Sequence, residues 1–131
     1  MYGETRKLLR AHVCSHIKPL FPLGVVHTTR FIDARDDKPY ASVFIDAVDV
    51  EYDGLQAINT GTLVITLNLP WASYSDDDLD DVATPIETTL ADGGKIDLGD
   101  YIAGMVPSGV SYLEPDESPY IGIALSYSFQ F

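Results

Sequence analysis

An acidic run that begins at residue 76 comes closest to a metal-binding pattern in this sequence. Carboxylates fall at positions one, three, five and twelve of a calcium-binding loop: Asp76, Asp78, Asp80 and Glu87. The pattern fails at two points, because Asp81 stands where the loop needs a glycine and Pro85 lies inside the loop. Acids favoured by the positive end of a helix dipole explain the same residues, so we interpret the run as the start of a helix.

A second candidate metal site is formed by His12, Cys14 and His16. Two histidines four residues apart share one face of a helix and could bind zinc together. Cys14 points away from that face, however, and the sequence places no third ligand. We therefore interpret the histidines as a solvated or partly packed pair.

Signatures of catalysis are weak throughout the chain. Ser108-Gly109 lacks the flanking glycine of a nucleophile elbow, and no glycine-rich phosphate loop with a following lysine occurs. The carboxylates show no separable acid and base pair. The sequence thus predicts a protein that is not an enzyme and that uses no metal or other cofactor.

Composition and charge narrow the function classes further. The 131 residues carry a net charge of -12 and predict one domain over residues 1–131, large enough to fold without disulfides. The lone Cys14 and the lack of a long apolar run favour a soluble protein of a reducing compartment, without a membrane segment. Residues 39–131 contain Lys95 against sixteen acids, which disfavours a nucleic-acid-binding module.

The elements that would position these residues begin with a predicted β-hairpin. Residues 62–69 alternate apolar and polar side chains with the period of a half-buried strand, and Pro70 ends the run. Residues 42–52 form the first arm, and Asp53-Gly54 is a turn signal. The apolar phase of this arm shifts between Ile45 and Val48, which predicts a bulge or a change of the covered face.

Two main helices are predicted on either side of the hairpin. Residues 5–18 place Leu9, Val13 and Ile17 four apart, with Leu8 and Ala11 beside them, and Pro19 stops the helix. Ser75 and Asp78 form a capping box for a helix that ends at Gly93-Gly94 and has one apolar face. Pro85 predicts a kink or a weakened turn near Asp81. Residues 97–105 are predicted as a short third helix capped by Asp97.

The remaining segments predict β-structure and set the fold class. Residues 25–32 favour a weak strand, and residues 110–113 and 121–131 favour a terminal hairpin. Tyr127, Phe129 and Phe131 alternate along it, which is typical of core, with a subunit interface as the alternative. We predict an α+β fold, a mostly antiparallel sheet of about four to five strands with two main helices packed on it.

Four stretches together carry a resemblance to a known family. They are residues 48–52 with the turn at Asp53-Gly54; residues 67–70 before the acidic helix start at 76–81; residues 102–105 leading through Val106 and Ser108-Gly109 to Tyr112; and residues 125–131. In order and spacing the chain resembles the tail terminators of long-tailed phages, the lambda-type minor tail protein U family.

The resemblance implies a structural role. Such terminators form a homohexameric ring on the head-proximal end of the tail tube, stop tube polymerisation and present the surface that joins the head. The partners implied are other copies of the chain, the major tail protein of the tube and the head-tail connector protein. DNA would pass through without specific binding, no membrane would be involved, and the protein would reside in the virion tail after assembly in the host cytoplasm.

Charge distribution suggests two hypotheses about such a ring. A basic set on the first helix would face an acidic set on the neighbouring subunit: Arg6, Lys7 and Arg10 against Asp76, Asp77, Asp78, Asp80 and Asp81. The alternative is that both sets are solvated helix faces. Acids near the connecting loop, residues 53–59, would line the channel and repel DNA: Asp46, Asp49, Glu51 and Asp53.

Other functions remain open at this stage. Another head-tail joining or neck protein would share the ring but bind the head first. An acidic DNA mimic that inhibits a nucleic-acid enzyme would be a monomer or dimer with salt-sensitive binding to a basic partner. A small acidic hydrolase would require a pocket with a perturbed carboxylate.

Overall fold

The computed structural model describes residues 2–28, 38–90, 95–97, 102–113 and 119–130. Its elements follow in chain order: α1 (Tyr2–Ile17), a 3₁₀ turn (Lys18–Leu20), β1 (Val25–His27), β2 (Tyr40–Asp53), β3 (Gln56–Pro70), α2 (Asp76–Leu90), β4 (Lys95–Asp97), β5 (Ile102–Leu113) and β6 (Tyr120–Gln130). Neither helix in these ranges is long and apolar enough to cross a membrane.

The strands form one sheet in the order β1-β2-β3-β6-β5-β4. The pair β1 and β2 is parallel, and every other neighbouring pair is antiparallel. The predicted α+β class with a mostly antiparallel sheet is therefore confirmed, as are the hairpin of β2 with β3 and the terminal hairpin of β5 with β6. The short strands β1 and β4, of three residues each, extend both edges of the sheet.

The core lies on one side of this sheet. In β3 the apolar side chains predicted to share a face are all fully buried: Leu63, Ile65, Leu67 and Leu69. The helices cover the same side with their own buried residues, which are Leu9, Val13 and Ile17 from α1 and Leu79, Ala83, Ile86 and Leu90 from α2. Each fully buried side chain of this size contributes about 1.5–3 kcal/mol. We call this the helix side of the sheet and the opposite one the open side.

A bulge in β2 keeps its apolar residues on the helix side. The register with β3 shifts between Ile45 and Ala47, so Asp46 is the extra residue. Ile45 pairs with Leu63 and Val48 pairs with Gly61, and both partners in β3 lie on the helix side. The bulge that the phase shift predicted is therefore confirmed, and the change of covered face does not occur.

Helix α2 begins with the predicted capping box. The backbone N–H of Ser75 donates to Oδ2 of Asp78 at 2.8 Å, which is one half of the box. In place of the other half, the Ser75 hydroxyl also donates to Oδ2 of Asp78 at 3.2 Å, and the Asp78 N–H donates to the Ser75 carbonyl at 3.1 Å. The helix continues through Pro85 to Leu90, although Pro85 has no N–H to donate to the Asp81 carbonyl. Residues 91–94, where the helix was predicted to end, lie outside the described residues.

The predicted third helix over residues 97–105 is wrong. Residues 95–97 and the start of β5 pair instead as antiparallel strands, Asp97 opposite Ile102 and Lys95 opposite Gly104. Further along, Met105 is buried opposite Phe129 of β6. A long partner strand with a core face stabilises the extended form more than one capping residue stabilises an isolated turn.

The structure also tests three smaller expectations. Leu8 is 51% exposed and Ala11 is exposed, because α1 buries only the narrow stripe of Leu9, Val13, Cys14 and Ile17 among its described residues. The weak strand predicted over residues 25–32 is a strand over Val25–His27, while residues 29–32 lie outside the described ranges. The core interpretation of Tyr127 and Phe129 is confirmed at 2% exposure each, and Phe131 is not among the described residues.

The ring of Phe129 lies against the backbone of Gly61, its partner in β3. A Cβ at Gly61 would come within 2.4 Å of the ring atom Cζ of Phe129, which is closer than two carbon atoms can approach. Glycine at this position therefore leaves the space that the buried ring of Phe129 occupies.

We expect Gly61→Ala to lower the free energy of unfolding by about 1–3 kcal/mol, because the added methyl group must displace a buried ring. Urea denaturation followed by circular dichroism measures the change. Gly109→Ala is the matched control, since a Cβ at Gly109 has no atom within 4 Å and should change stability by less than about 0.5 kcal/mol. Equal stability of the two variants would contradict the role assigned to Gly61.

Candidate assembly surface

The β2–β3 hairpin projects beyond the rest of the sheet. Strand β6 pairs with β3 only from Thr60 onward, so residues 50–59 form a two-stranded arm. At its tip Asp53 pairs with Gln56, and Gly54 has a φ of 65°, a backbone conformation that favours glycine. The connecting loop predicted over residues 53–59 is therefore wrong: the turn is Gly54-Leu55, and residues 56–59 already belong to β3.

The arm has one apolar and one acidic side. Val50 is 52% exposed and Tyr52 is 75% exposed, both on the helix side but beyond the reach of the helices. Asp49, Glu51 and Asp53 alternate with them and lie exposed on the open side. Of the predicted channel-lining acids, three thus share one side of one strand, and Asp46 lies in the bulge just before them.

The open side of the sheet carries small and polar residues together with larger apolar ones, among them Phe44, Val64 and Val106. Ser42 and Thr66 join their hydroxyls across β2 and β3 at 2.5 Å, and Nδ2 of Asn68 donates to the Thr66 hydroxyl at 3.3 Å. The four long strands β2, β3, β5 and β6 contain no Lys or Arg. The charged residues in those strands are the four predicted channel acids alone, so these strands contribute only negative charge.

Short strands pair with the two long strands that lie next to the edges of the sheet. β1 pairs with β2 over Tyr40, Ala41 and Ser42. β4 pairs with residues 102–104 of β5, which among the described residues leaves residues 105–113 without an outer partner strand. That segment of β5 carries four apolar side chains that are 41–60% exposed: Val106, Val110, Tyr112 and Leu113.

The two helices place their charges over different halves of the sheet. Helix α1 packs on β1 and β2 and carries Lys7 exposed, with Arg6 and Arg10 half-buried. Helix α2 packs on β3, β6 and β5 and exposes Asp76, Asp77, Asp80 and Asp81. The basic set therefore lies over the β1–β2 half of the sheet, and the acidic set lies over the half that contains β6 and β5.

Two of the predicted interface acids already have partners within the chain. Asp78 is half-buried and accepts the capping hydrogen bond from Ser75. Asp80 accepts a hydrogen bond from the hydroxyl of Tyr112 at 2.5 Å, which ties α2 to β5. This bond to the carboxylate raises the pKa of Tyr112, because loss of the proton would place two negative charges together.

The candidate zinc residues are occupied by local contacts. Nδ1 of His16 donates to the carbonyl of His12 at 2.9 Å, and the two rings stack with centroids 5.2 Å apart. The Cys14 thiol is buried and donates to the carbonyl of Val26 at 3.7 Å, and burial raises its pKa. Among the described residues no group of three His, Cys, Asp or Glu side chains is arranged to hold a metal ion.

A shallow cleft lies between the end of α2 and the β5–β6 hairpin. It has a volume of about 110 Å³ and is lined by Glu87, Pro107, Gly109, Val110, Leu125, Ser126 and Tyr127. Drug-sized ligands need several times this volume, so the cleft does not suit one. Burial, with a smaller effect from the Glu87 carboxylate, raises the pKa of Tyr127 to about 12.

Comparison with known proteins places this architecture among solved structures. The chain matches a chain from the virion of a native gene transfer agent particle with a TM-score of 0.67, at 16% identity, over 93% of this chain and 92% of that one. It also matches a second solved protein, whose description names no function, with a TM-score of 0.63 at 12% identity, over 95% and 93% of the two chains. The fold is shared along almost the whole length of all three.

Sequence comparisons add nothing to this fold assignment. No family model matches the chain. No curated protein matches it.

The sequence-based search for a site missed the apolar half of this surface. It identified the acids of β2 but not the exposed Val50 and Tyr52 that alternate with them. It also misread the start of β5, whose twelve residues contain no charge at all. An uncharged strand with apolar residues at an edge of the sheet is the signal that could have revealed it.

We expect the stability of the protein to fall between about pH 10 and pH 12 in part because of Tyr127. Its pKa is about 12 in the folded protein, against about 10 in an unfolded chain, so the stabilisation is complete below pH 10 and is lost as the pH rises towards 12. Tyr127→Phe should make the decline shallower by up to about 1.4 kcal/mol per pH unit.

Chemical denaturation at half-unit intervals of pH measures how steeply the free energy of unfolding declines between about pH 10 and pH 12. Tyr52→Phe removes the same hydroxyl from an exposed ring of the arm and is the control, which should follow the unmodified protein. Identical slopes for Tyr127→Phe and the unmodified protein would refute the assignment.

Proposed function

We propose that this protein is a structural component of a phage or phage-like particle, and specifically a tail terminator. In this role six copies form a ring that caps the head-proximal end of the tail tube, stops tube polymerisation and joins the head-tail connector. The observation that carries the proposal is the shared fold with a virion chain, which extends over more than nine-tenths of both chains. The protein acts without catalysis and without a cofactor, in the virion tail after assembly in the host cytoplasm.

The sheet supports a ring through which DNA passes. A surface that transmits DNA must not bind phosphate, and the long strands carry no cation to do so. With the open side turned inward, its hydroxyl and small side chains form the wall of the channel. Asp49, Glu51 and Asp53 then form an acidic collar at one end, which repels the DNA backbone.

The charges on the helices support a head-to-tail arrangement of the subunits. A ring needs one patch to meet a different patch on the next subunit. Helix α1 carries its basic set at one edge of the sheet, and α2 carries its acidic set at the other. Neighbouring copies in a ring therefore present opposite charges to each other.

The first experiment is the solution mass by light scattering across protein concentration and salt, with electron microscopy of any large species. A ring of six chains that also stops polymerisation of purified tube protein supports the proposal. A ring that binds the connector but not the tube identifies another head-tail joining protein. A persistent monomer that leaves tube growth unchanged contradicts a terminator, and tight binding to a basic partner would then indicate a DNA mimic.

We expect replacement of Arg6, Lys7 and Arg10 by Glu to abolish the ring at low salt, because α1 would then repel the acids of the neighbouring α2. The variant in which Arg6 and Arg10 become Lys retains the charges and is the control. Light scattering at about 20 mM and 300 mM salt measures the effect, and the difference between variants should shrink at high salt. A ring that survives the reversal at low salt would mean that these helix faces are merely solvated.

A further inference from the structure

The cleft between α2 and the β5–β6 hairpin opens on the helix side of the sheet. Val110 of β5 pairs with Leu125 of β6, and Leu125 in turn pairs with the buried Ile65 of β3. Leu125 and Tyr127 are buried beneath the cleft, whereas Val110 at its rim is 52% exposed. With a volume of about 110 Å³ and mostly apolar lining residues, the cleft suits a single apolar side chain.

Acidic residues of α2 lie beside this cleft. Glu87 is the one charged residue among those that line it. The hydrogen bond to Asp80 raises the pKa of Tyr112, and the charges of Asp76 and Glu87 add to the effect, so this side of α2 faces β5. All charged residues of the helix, Asp76–Leu90, are acids. The surface around the cleft therefore favours a partner that carries positive charge close to an apolar side chain.

Helix α1 presents such a side chain. Leu8 is 51% exposed and lies one turn from the exposed Ala11. Lys7, next to it in the chain, is exposed as well. Over residues 2–20 the charged residues are four cations and one acid: Arg6, Lys7, Arg10 and Lys18, with Glu4. An exposed leucine on a basic helix thus matches an apolar cleft in an acidic surface.

Other exposed leucines suit the cleft less well. Leu55 at the tip of the arm is fully exposed, but Asp53 and Glu51 precede it and would approach Glu87 with the same charge. Leu23 stands between Pro22 and Gly24 and has no Lys or Arg within four residues. Leu8 is therefore the leucine whose surroundings complement the charge of α2.

The two surfaces belong to opposite ends of the strand order. Helix α1 packs on β1 and β2, while the cleft lies on β6 and β5. Three strand spacings, about 14 Å, separate β2 from β5 within one chain. A contact between Leu8 and the cleft therefore joins two copies through different patches, which is the kind of contact that a ring requires.

We propose that Leu8 of one copy inserts into the cleft between α2 and the β5–β6 hairpin of the next copy, with Lys7 beside Glu87. The proposal rests on the ring of the proposed function and names the residues of its interface. Burial of Leu8 against Val110 removes apolar surface of both copies from water. The opposite charges at the rim fix the orientation of the partner more than they add affinity.

Disulfide formation between two variants, each with one added cysteine, tests the contact. Leu8→Cys protein is mixed with Val110→Cys protein under mild oxidation, so that a disulfide between the two sites must join two chains. Covalent dimers are expected in the mixture and not in either protein alone. The native Cys14 is buried and does not compete.

A matched control replaces Leu8→Cys by Ser15→Cys. Ser15 is exposed on the same side of α1 but lies two turns, about 10 Å, further along the helix, beyond the reach of a disulfide to Val110. Dimers formed by Leu8→Cys alone or Val110→Cys alone, or formed equally well with Ser15→Cys, would overturn the proposal.

A second measurement removes the apolar anchor. Leu8→Asp should raise the concentration for half-maximal association on the order of tenfold over Leu8→Met, because Asp brings a carboxylate towards Glu87 whereas Met keeps an apolar side chain. Leu55→Asp is the control for the added charge, since it removes a leucine from the tip of the arm and should associate like the unmodified protein. Urea denaturation confirms that each variant is folded. Equal effects of Leu8→Asp and Leu55→Asp would overturn the proposal.

Exchange of the two charges tests where Lys7 lies. Lys7→Glu and Glu87→Lys should each weaken association, because each brings like charges together at the rim of the cleft. The double variant restores an opposite pair and should associate more tightly than either single variant, most clearly at about 20 mM salt. Additive losses in the double variant would overturn the placement of Lys7 beside Glu87.

The contact and the terminator role fail in different ways. A ring that caps tubes but gives no disulfide in the mixture, and that tolerates Leu8→Asp, overturns the contact and leaves the terminator. Mixed disulfides between copies that do not stop tube growth support the contact and overturn the terminator. A protein that stays monomeric at millimolar concentration, with no disulfide in the mixture, overturns the contact.

Discussion

Burial of β3 from one side is the constraint on which the rest of this structure depends. Leu63, Ile65, Leu67 and Leu69 must all leave water, and both helices lie over that one side to cover them. The neighbouring strand β2 can contribute to the same core only because the bulge at Asp46 restores the phase of its apolar residues. Neither α1 nor α2 packs on the open side, where hydroxyls bond to one another, as between Ser42 and Thr66.

The features of the fold that depend on residues close together in the chain could be predicted from the sequence, and those that depend on distant residues could not. The capping box of α2 and the turn at Gly54 depend on residues within four positions, and both were predicted. The bulge was predictable too, because the period of two breaks visibly between Ile45 and Val48. The start of β5 was not, since its extended form depends on pairing with β4 and on the pairing of Met105 with Phe129 in β6, more than twenty residues further along the chain.

The same distinction between local and distant interactions applies to the candidate site. Carboxylates of β2 were identified as a group, and the structure places Asp49, Glu51 and Asp53 on one side of the arm. The sequence-based prediction treated the acids of α2 as one uniform cluster. In the structure Asp78 caps the helix and Asp80 accepts a hydrogen bond from Tyr112. The acids best placed to contact a partner are therefore Asp76, Asp77 and Asp81. Composition cannot make that distinction, because it depends on the packing of α2 against β5.

A sheet with helices on one side only also has a preferred direction of curvature. If copies join edge to edge, the helical layer needs a longer arc than the open side, so the joined sheet curls with the helices outward. The open side then turns inward, and the acids of β2 face the enclosed space. Because one edge is charged and the other is neutral, copies add in one direction only, and a contact of that kind either closes into a ring or continues as a filament. The opposite charges on the two helices would recur at every such contact, so the angle between neighbouring copies, and not the charge, decides between a ring and a filament.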